Sequence, residues 1–111
     1  MRRIYYGGGY MLVADQTCKA VLRYARALAI RSEADVIMVP VITEGGSNAY
    51  AHLLLGPASQ IFSTPVEHST DEPFDQDVIT ELEQKTAALQ PSRPEWPEEM
   101  TDIPDLDDFS Y

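Results

Sequence analysis

A chain of 111 residues with 44% apolar content holds one domain at most, and near this size roughly 65% of the unfolded chain's surface is buried, enough for one modest core. Eighteen acidic residues against eight basic ones give a formal net charge of −10, which argues against general nucleic-acid or anionic-membrane binding because phosphates are repelled. The single cysteine, Cys18, allows no intrachain disulfide, the first residues lack the ~7–15 apolar positions of a signal peptide, and no apolar run reaches the ~18 residues of a membrane span, so a cytoplasmic location is expected.

Residues 3–6 and 10–14 are rich in β-formers and are separated by Gly7, Gly8 and Gly9. The pattern predicts a hairpin with a three-residue loop, since glycine takes positive φ without steric cost. Asp15 then stands where an N-cap belongs. From Gln16 to about Arg31 the apolar positions Cys18, Val21, Leu22, Ala25, Leu28 and Ala29 recur every three or four residues, one face of an amphipathic helix. Lys19, Arg23 and Arg26 lie opposite.

The β-branched run Val36–Ile42 reads as a strand, closed by Gly45 and Gly46. Pro40 within it donates nothing to a ladder, which predicts an edge position or a bulge there. A partner strand is expected at about 49–55, a further one at about 60–64, and a second helix from about Asp75 to Leu89.

The resulting order, β-β-α-β-β-(β)-α, predicts an α+β fold with a small, mainly antiparallel sheet and one or two helices packed on it. Residues 1–90 form this single domain. Residues 91–111 carry four prolines and no periodicity, and read as an acidic tail that cannot bury enough surface to order itself. The charge is split accordingly, net +2 over residues 1–60 and net −12 over 61–111. The stretches "VIMVPVI" and "HLLLG" barely alternate. Strands that are apolar on both sides need both sides covered, and two short helices cover one, so a homodimer is expected.

Candidate chemistry is sparse. Neither glycine cluster opens a helix, and no Lys and Ser/Thr follow at phosphate-loop spacing, so both read as turns. Cys18 lies in the first helical turn, where a thiol can be activated, but it shares the apolar stripe and reads as core. His52 and His68 show no paired-ligand spacing with Glu67 or Asp71, and neither a metal nor a cofactor is expected. A Cys18–His52 nucleophile pair, or a ligand pocket built from Tyr5, Tyr6, Tyr10 and His52, is the enzymatic alternative.

The basic stripe Lys19, Arg23 and Arg26 gains interest from the end of the chain. In "DIPDLDDFSY" acidic residues alternate with apolar ones, among them Asp105, Leu106, Asp107, Asp108, Phe109 and Tyr111. Such a segment docks by charge and anchors by aromatic burial. It resembles the acidic, aromatic-ended tails by which bacterial single-stranded-DNA-binding proteins recruit partners. The resemblance covers ten residues and ends in tyrosine instead of phenylalanine. Trp96, alone between Glu95 and Pro97, is the expected pocket-filling residue of the tail. The leading expectation is a non-enzymatic protein-binding or regulatory module that uses this tail on a protein partner or on itself. The alternative is an acidic nucleic-acid mimic.

Overall fold

The computed structural model describes residues 1–67 and 72–89. Along the chain lie β1 (Arg2–Tyr6), β2 (Gly9–Val13), α1 (Asp15–Ile30), β3 (Asp35–Ile42), β4 (Asn48–Leu55), β5 (Ile61–Pro65) and α2 (Gln76–Leu89). The strands form one antiparallel sheet in the order β4-β3-β2-β1-β5. This is the α+β arrangement the sequence predicts, with the fifth strand present.

The β1–β2 turn is one residue tighter than expected. Tyr6 pairs with Gly9, so only Gly7 and Gly8 lie outside the ladder, at φ of 63° and 89°. Two successive positive φ values match the right-handed twist of the flanking strands, and only glycine adopts them freely. Gly9 leaves room for a side chain from the β3–β4 loop. A Cβ there would sit 2.8 Å from Glu44 Oε2, the atom that accepts the Tyr10 backbone N–H at 2.9 Å.

Both ends of α1 differ from the simple reading. The N-cap is Ala14, which offers no capping side chain; Asp15 is already helical, and its carboxylate lies 3.1 Å from the Met1 amine. A carboxylate still favours the positive end of the helix from this position. At the other end Ser32 takes φ 55°, with its N–H on Ala29 O and the Glu33 N–H on Leu28 O. This is a Schellman closure with serine where glycine is usual.

The buried surface of α1 is wider than one stripe. Cys18, Val21 and Leu28 are buried as the spacing predicts, but Thr17, Ala20 and Tyr24 are buried too. The second stripe exists because α2 packs along α1, and both helices share one core cluster with the strands through Ile79, Leu82, Val21 and Leu28. The sheet contributes Ile4, Val13, Ile37, Val39, Val41, Leu53 and Leu55 to that cluster. Pro40 is tolerated because β2 reaches β3 only at Leu12↔Ile42. At Pro40 the strand therefore has a ladder partner on the β4 side alone, the edge-like position the sequence requires.

Candidate functional site

Strand alternation assigns every other side chain to the second face of the sheet. The pairings Arg3↔Leu12, Tyr5↔Tyr10, Tyr5↔Phe62, Leu12↔Ile42, Met38↔His52 and Val36↔Leu54 fix which residues share it. No helix packs over its Val36, Met38, Leu54 and Phe62 side chains; at the β4 edge the Tyr50 hydroxyl donates to Asp75, just before α2, at 2.9 Å, and Pro40 beside it is buried. Val36 is 55% exposed, Met38 46%, Leu54 57% and Phe62 59%, values ordinary for surface charges and unusual for four large apolar side chains on one sheet.

At the glycine-turn end the face is aromatic. The hairpin sets Tyr5 beside Tyr10, with ring centroids 6.1 Å apart and tilted. On the other side of β1, Phe62 stacks on Tyr5 at 4.5 Å with the planes within 10°. Three strands thus present a continuous row, Phe62–Tyr5–Tyr10. The Arg3 guanidinium lies 4.8 Å above the Tyr10 ring and its Nη1 donates to the Tyr5 hydroxyl at 3.4 Å. That contact holds the Tyr5 phenol below its ordinary value and raises the guanidinium; the cation thus has both a ring and a hydroxyl of the aromatic row as neighbours.

An open cleft of about 1140 Å³ runs beside this row, bounded by Tyr5, Tyr6, Tyr10, Leu54, Phe62 and the 56–60 loop. Its polar groups serve the fold. Glu44 accepts from the Tyr10 N–H, Tyr6 donates to the Leu54 carbonyl, and the Ser59 hydroxyl bridges Gly56 N and Leu54 O. His52 does not line the cleft. The convergence that a ligand pocket of Tyr5, Tyr6, Tyr10 and His52 requires is therefore limited to the three tyrosines.

The other predicted residues fall into separate places. Cys18 is fully buried, and burial pushes its thiol up, the opposite of an activated nucleophile. It lies in the core on the covered side, while His52 is exposed on the open face, so the two do not pair. Among the described residues no group of three His, Cys, Asp or Glu could hold a metal, and no helix is long and apolar enough to cross a membrane. Lys19 and Arg26 are exposed on α1 and Arg23 is half-buried. His68, Asp71, Trp96, Asp105, Leu106, Asp107, Asp108, Phe109 and Tyr111 lie outside the described residues.

Sequence reasoning missed one polar cluster. Buried Tyr24 donates its hydroxyl to Asp35 at 2.6 Å, and Lys85 of α2 reaches the same carboxylate at 3.2 Å. Burial, followed by the Asp35 contact, raises the Tyr24 phenol; Tyr24 and Lys85 together lower Asp35. No spacing in the chain marks this three-element tie. The open face itself had a signal, the doubled apolar pattern of β3 and β4 with Tyr50, His52 and Leu54 on one strand face, although Phe62 was not distinguishable as part of it.

Fold and surface together define a small α+β domain with one sheet face covered by two helices and the other open. In comparisons with known protein families, curated proteins and solved structures, nothing matches the chain.

Proposed function

We propose that this protein is a non-enzymatic protein-binding module whose docking surface is the open face of the sheet. The observation that carries this reading is the exposure of Val36, Met38, Leu54 and Phe62 on one face where Arg3 is the one charged side chain at a strand position. Leaving such surface in water forgoes roughly 25 cal/mol for each Å² that could be covered. An apolar patch framed by a strongly charged chain is the usual form of an interaction site.

The acidic segment 91–111 supplies the second part of the proposal. Its carboxylates, Asp105, Asp107 and Asp108 among them, steer it toward a basic surface, and Trp96, Leu106, Phe109 and Tyr111 anchor it. That surface belongs to a partner protein or to the Lys19/Arg23/Arg26 side of α1. The nucleic-acid mimic receives less support, because a decoy needs carboxylates arrayed on one rigid face and the open face holds none at its strand positions.

Affinity capture with the full chain as bait tests the reading. The wild type, a Met38→Lys/Leu54→Lys variant and a chain lacking 91–111 are compared at low and high salt. A partner lost from the face variant at both salts is expected; loss on tail deletion is expected to be salt-sensitive, since exposed charges are screened over about 8 Å at physiological ionic strength. Undiminished capture by the face variant overturns the proposal.

A further inference from the structure

We infer that the occupant of the open face is a second copy of this chain, packed sheet against sheet; the inference rests on the docking surface proposed above and names its partner.

The first argument is charge. Each chain carries −10, with net −12 on residues 61–111 and net +2 on residues 1–60, so two copies repel one another chiefly through the second part of the chain. An isologous contact sets one patch against its own duplicate, so the patch must be free of any single sign of charge. The open face comes close to this condition. No Asp or Glu occupies its strand positions; the Asp75 carboxylate reaches it only at the β4 edge, where it accepts from the Tyr50 hydroxyl at 2.9 Å, and the one cation at a strand position, Arg3, lies over Tyr10 and donates to the Tyr5 hydroxyl.

The second argument is composition. Interface cores are enriched in Tyr, Phe, Met and Arg and depleted in Lys, Glu and Asp, and homodimer interfaces are the more apolar kind. Tyr5, Tyr10, Phe62, Met38 and Arg3 supply the enriched types on one face. The acidic tail is a poor occupant by the same test. It brings many carboxylates to a face with a single cation at its strand positions, whereas α1 exposes Lys19 and Arg26.

The third argument is size. Five strands at about 4.8 Å spacing make a sheet roughly 20–25 Å wide, and strands of five to eight residues run about 17–26 Å. Because β2 meets β3 only at Leu12↔Ile42, the contact is smaller than that full rectangle and lies below the ~800 Å² per partner of a standard interface, at the small end of the range. Two such faces stacked about 10 Å apart interdigitate as in other face-to-face sheet pairs. Each two-layer subunit then becomes half of a helix–sheet–sheet–helix sandwich, and the apolar residues on both sides of β3 and β4 are covered.

Sedimentation equilibrium of the full chain tests the inference. The wild type and a Lys19→Glu/Arg26→Glu control are expected at twice the 12.4 kDa subunit mass. The Met38→Lys/Leu54→Lys variant is expected at the single mass, its dissociation constant weakened at least ~100-fold by unpaired charges in the contact. Dilution of the wild type needs no variant: a dimer's unfolding midpoint falls as the protein is diluted from about 100 μM to about 0.1 μM. A wild type that is monomeric at about 100 μM with a concentration-independent midpoint overturns the inference, as does a dimer that survives the face substitution and is lost in the α1 control. A monomer that still loses a captured partner on Met38→Lys/Leu54→Lys sinks the dimer alone. A dimer lost on the same substitution while capture persists supports the dimer and places the captured partner on another surface.

Discussion

Leu54 and Leu55 are neighbours in β4 and chemically identical, yet one is 57% exposed and the other fully buried. The same contrast runs across the sheet. Ile37, Val39 and Val41 are buried beneath two helices, while Val36 and Met38, between and beside them, meet solvent. In β3 and β4 both sides carry large aliphatic side chains, so the presence of apolar residues alone does not decide which side becomes the core. Chain connectivity does. Both helices land on one side and pack against each other, leaving the other side apolar and available.

The sharpest way to break this contrast is to truncate both leucines. Leu55→Ala is expected to lower stability by about 2–5 kcal/mol, the transfer loss plus the cavity left behind. Leu54→Ala is expected to change the isolated subunit by no more than about 0.5 kcal/mol. Denaturant unfolding at high dilution reads both. Equal losses would mean that Leu54 is packed in the subunit, and the open face would cease to be open.

A smaller effect is expected at the polar tie on the covered side. Tyr24→Phe removes the hydroxyl donated to Asp35 and is expected to cost about 1–2 kcal/mol at neutral pH. The pH dependence follows from the direction of each shift. Asp35 is depressed when folded, so its contribution is present above the ordinary carboxylate range and is lost as pH falls through the lowered value. Tyr24 and Lys85 are raised, so their contributions are present below about pH 10 and are lost as pH rises further. The wild type is therefore expected to weaken at both extremes. The alkaline loss should be smaller in Tyr24→Phe, and an unchanged alkaline limb would show that the phenol does not titrate with folding.

The smallest effect has the opposite sign. Ser32 closes α1 at positive φ, a region that costs a non-glycine residue roughly 1 kcal/mol. Ser32→Gly is expected to stabilise the protein by about 0.5–1 kcal/mol, less the entropy glycine adds to the unfolded chain. A loss in thermal unfolding would mean that the serine hydroxyl, not the backbone shape, is what matters at that position.

The fold class and element order were legible because they rest on local physics. Glycines at 7 and 8 turn the chain whatever surrounds them, and the Cys18–Val21–Leu28 spacing makes an apolar helix face before any tertiary contact exists. The doubled apolar pattern of β3 and β4 also marked an apolar second side, which the two helices leave exposed. Three matters were decided only when distant segments met. Tyr24 became a buried donor because α2 closed over it and Lys85 came to Asp35. Phe62 joined the aromatic row because β5 paired with the free edge of β1, which set Phe62 against Tyr5. The choice of which apolar side to cover depended on where both helices came to rest. Local pattern reports what a segment can bury; only the assembled chain settles what it buries against.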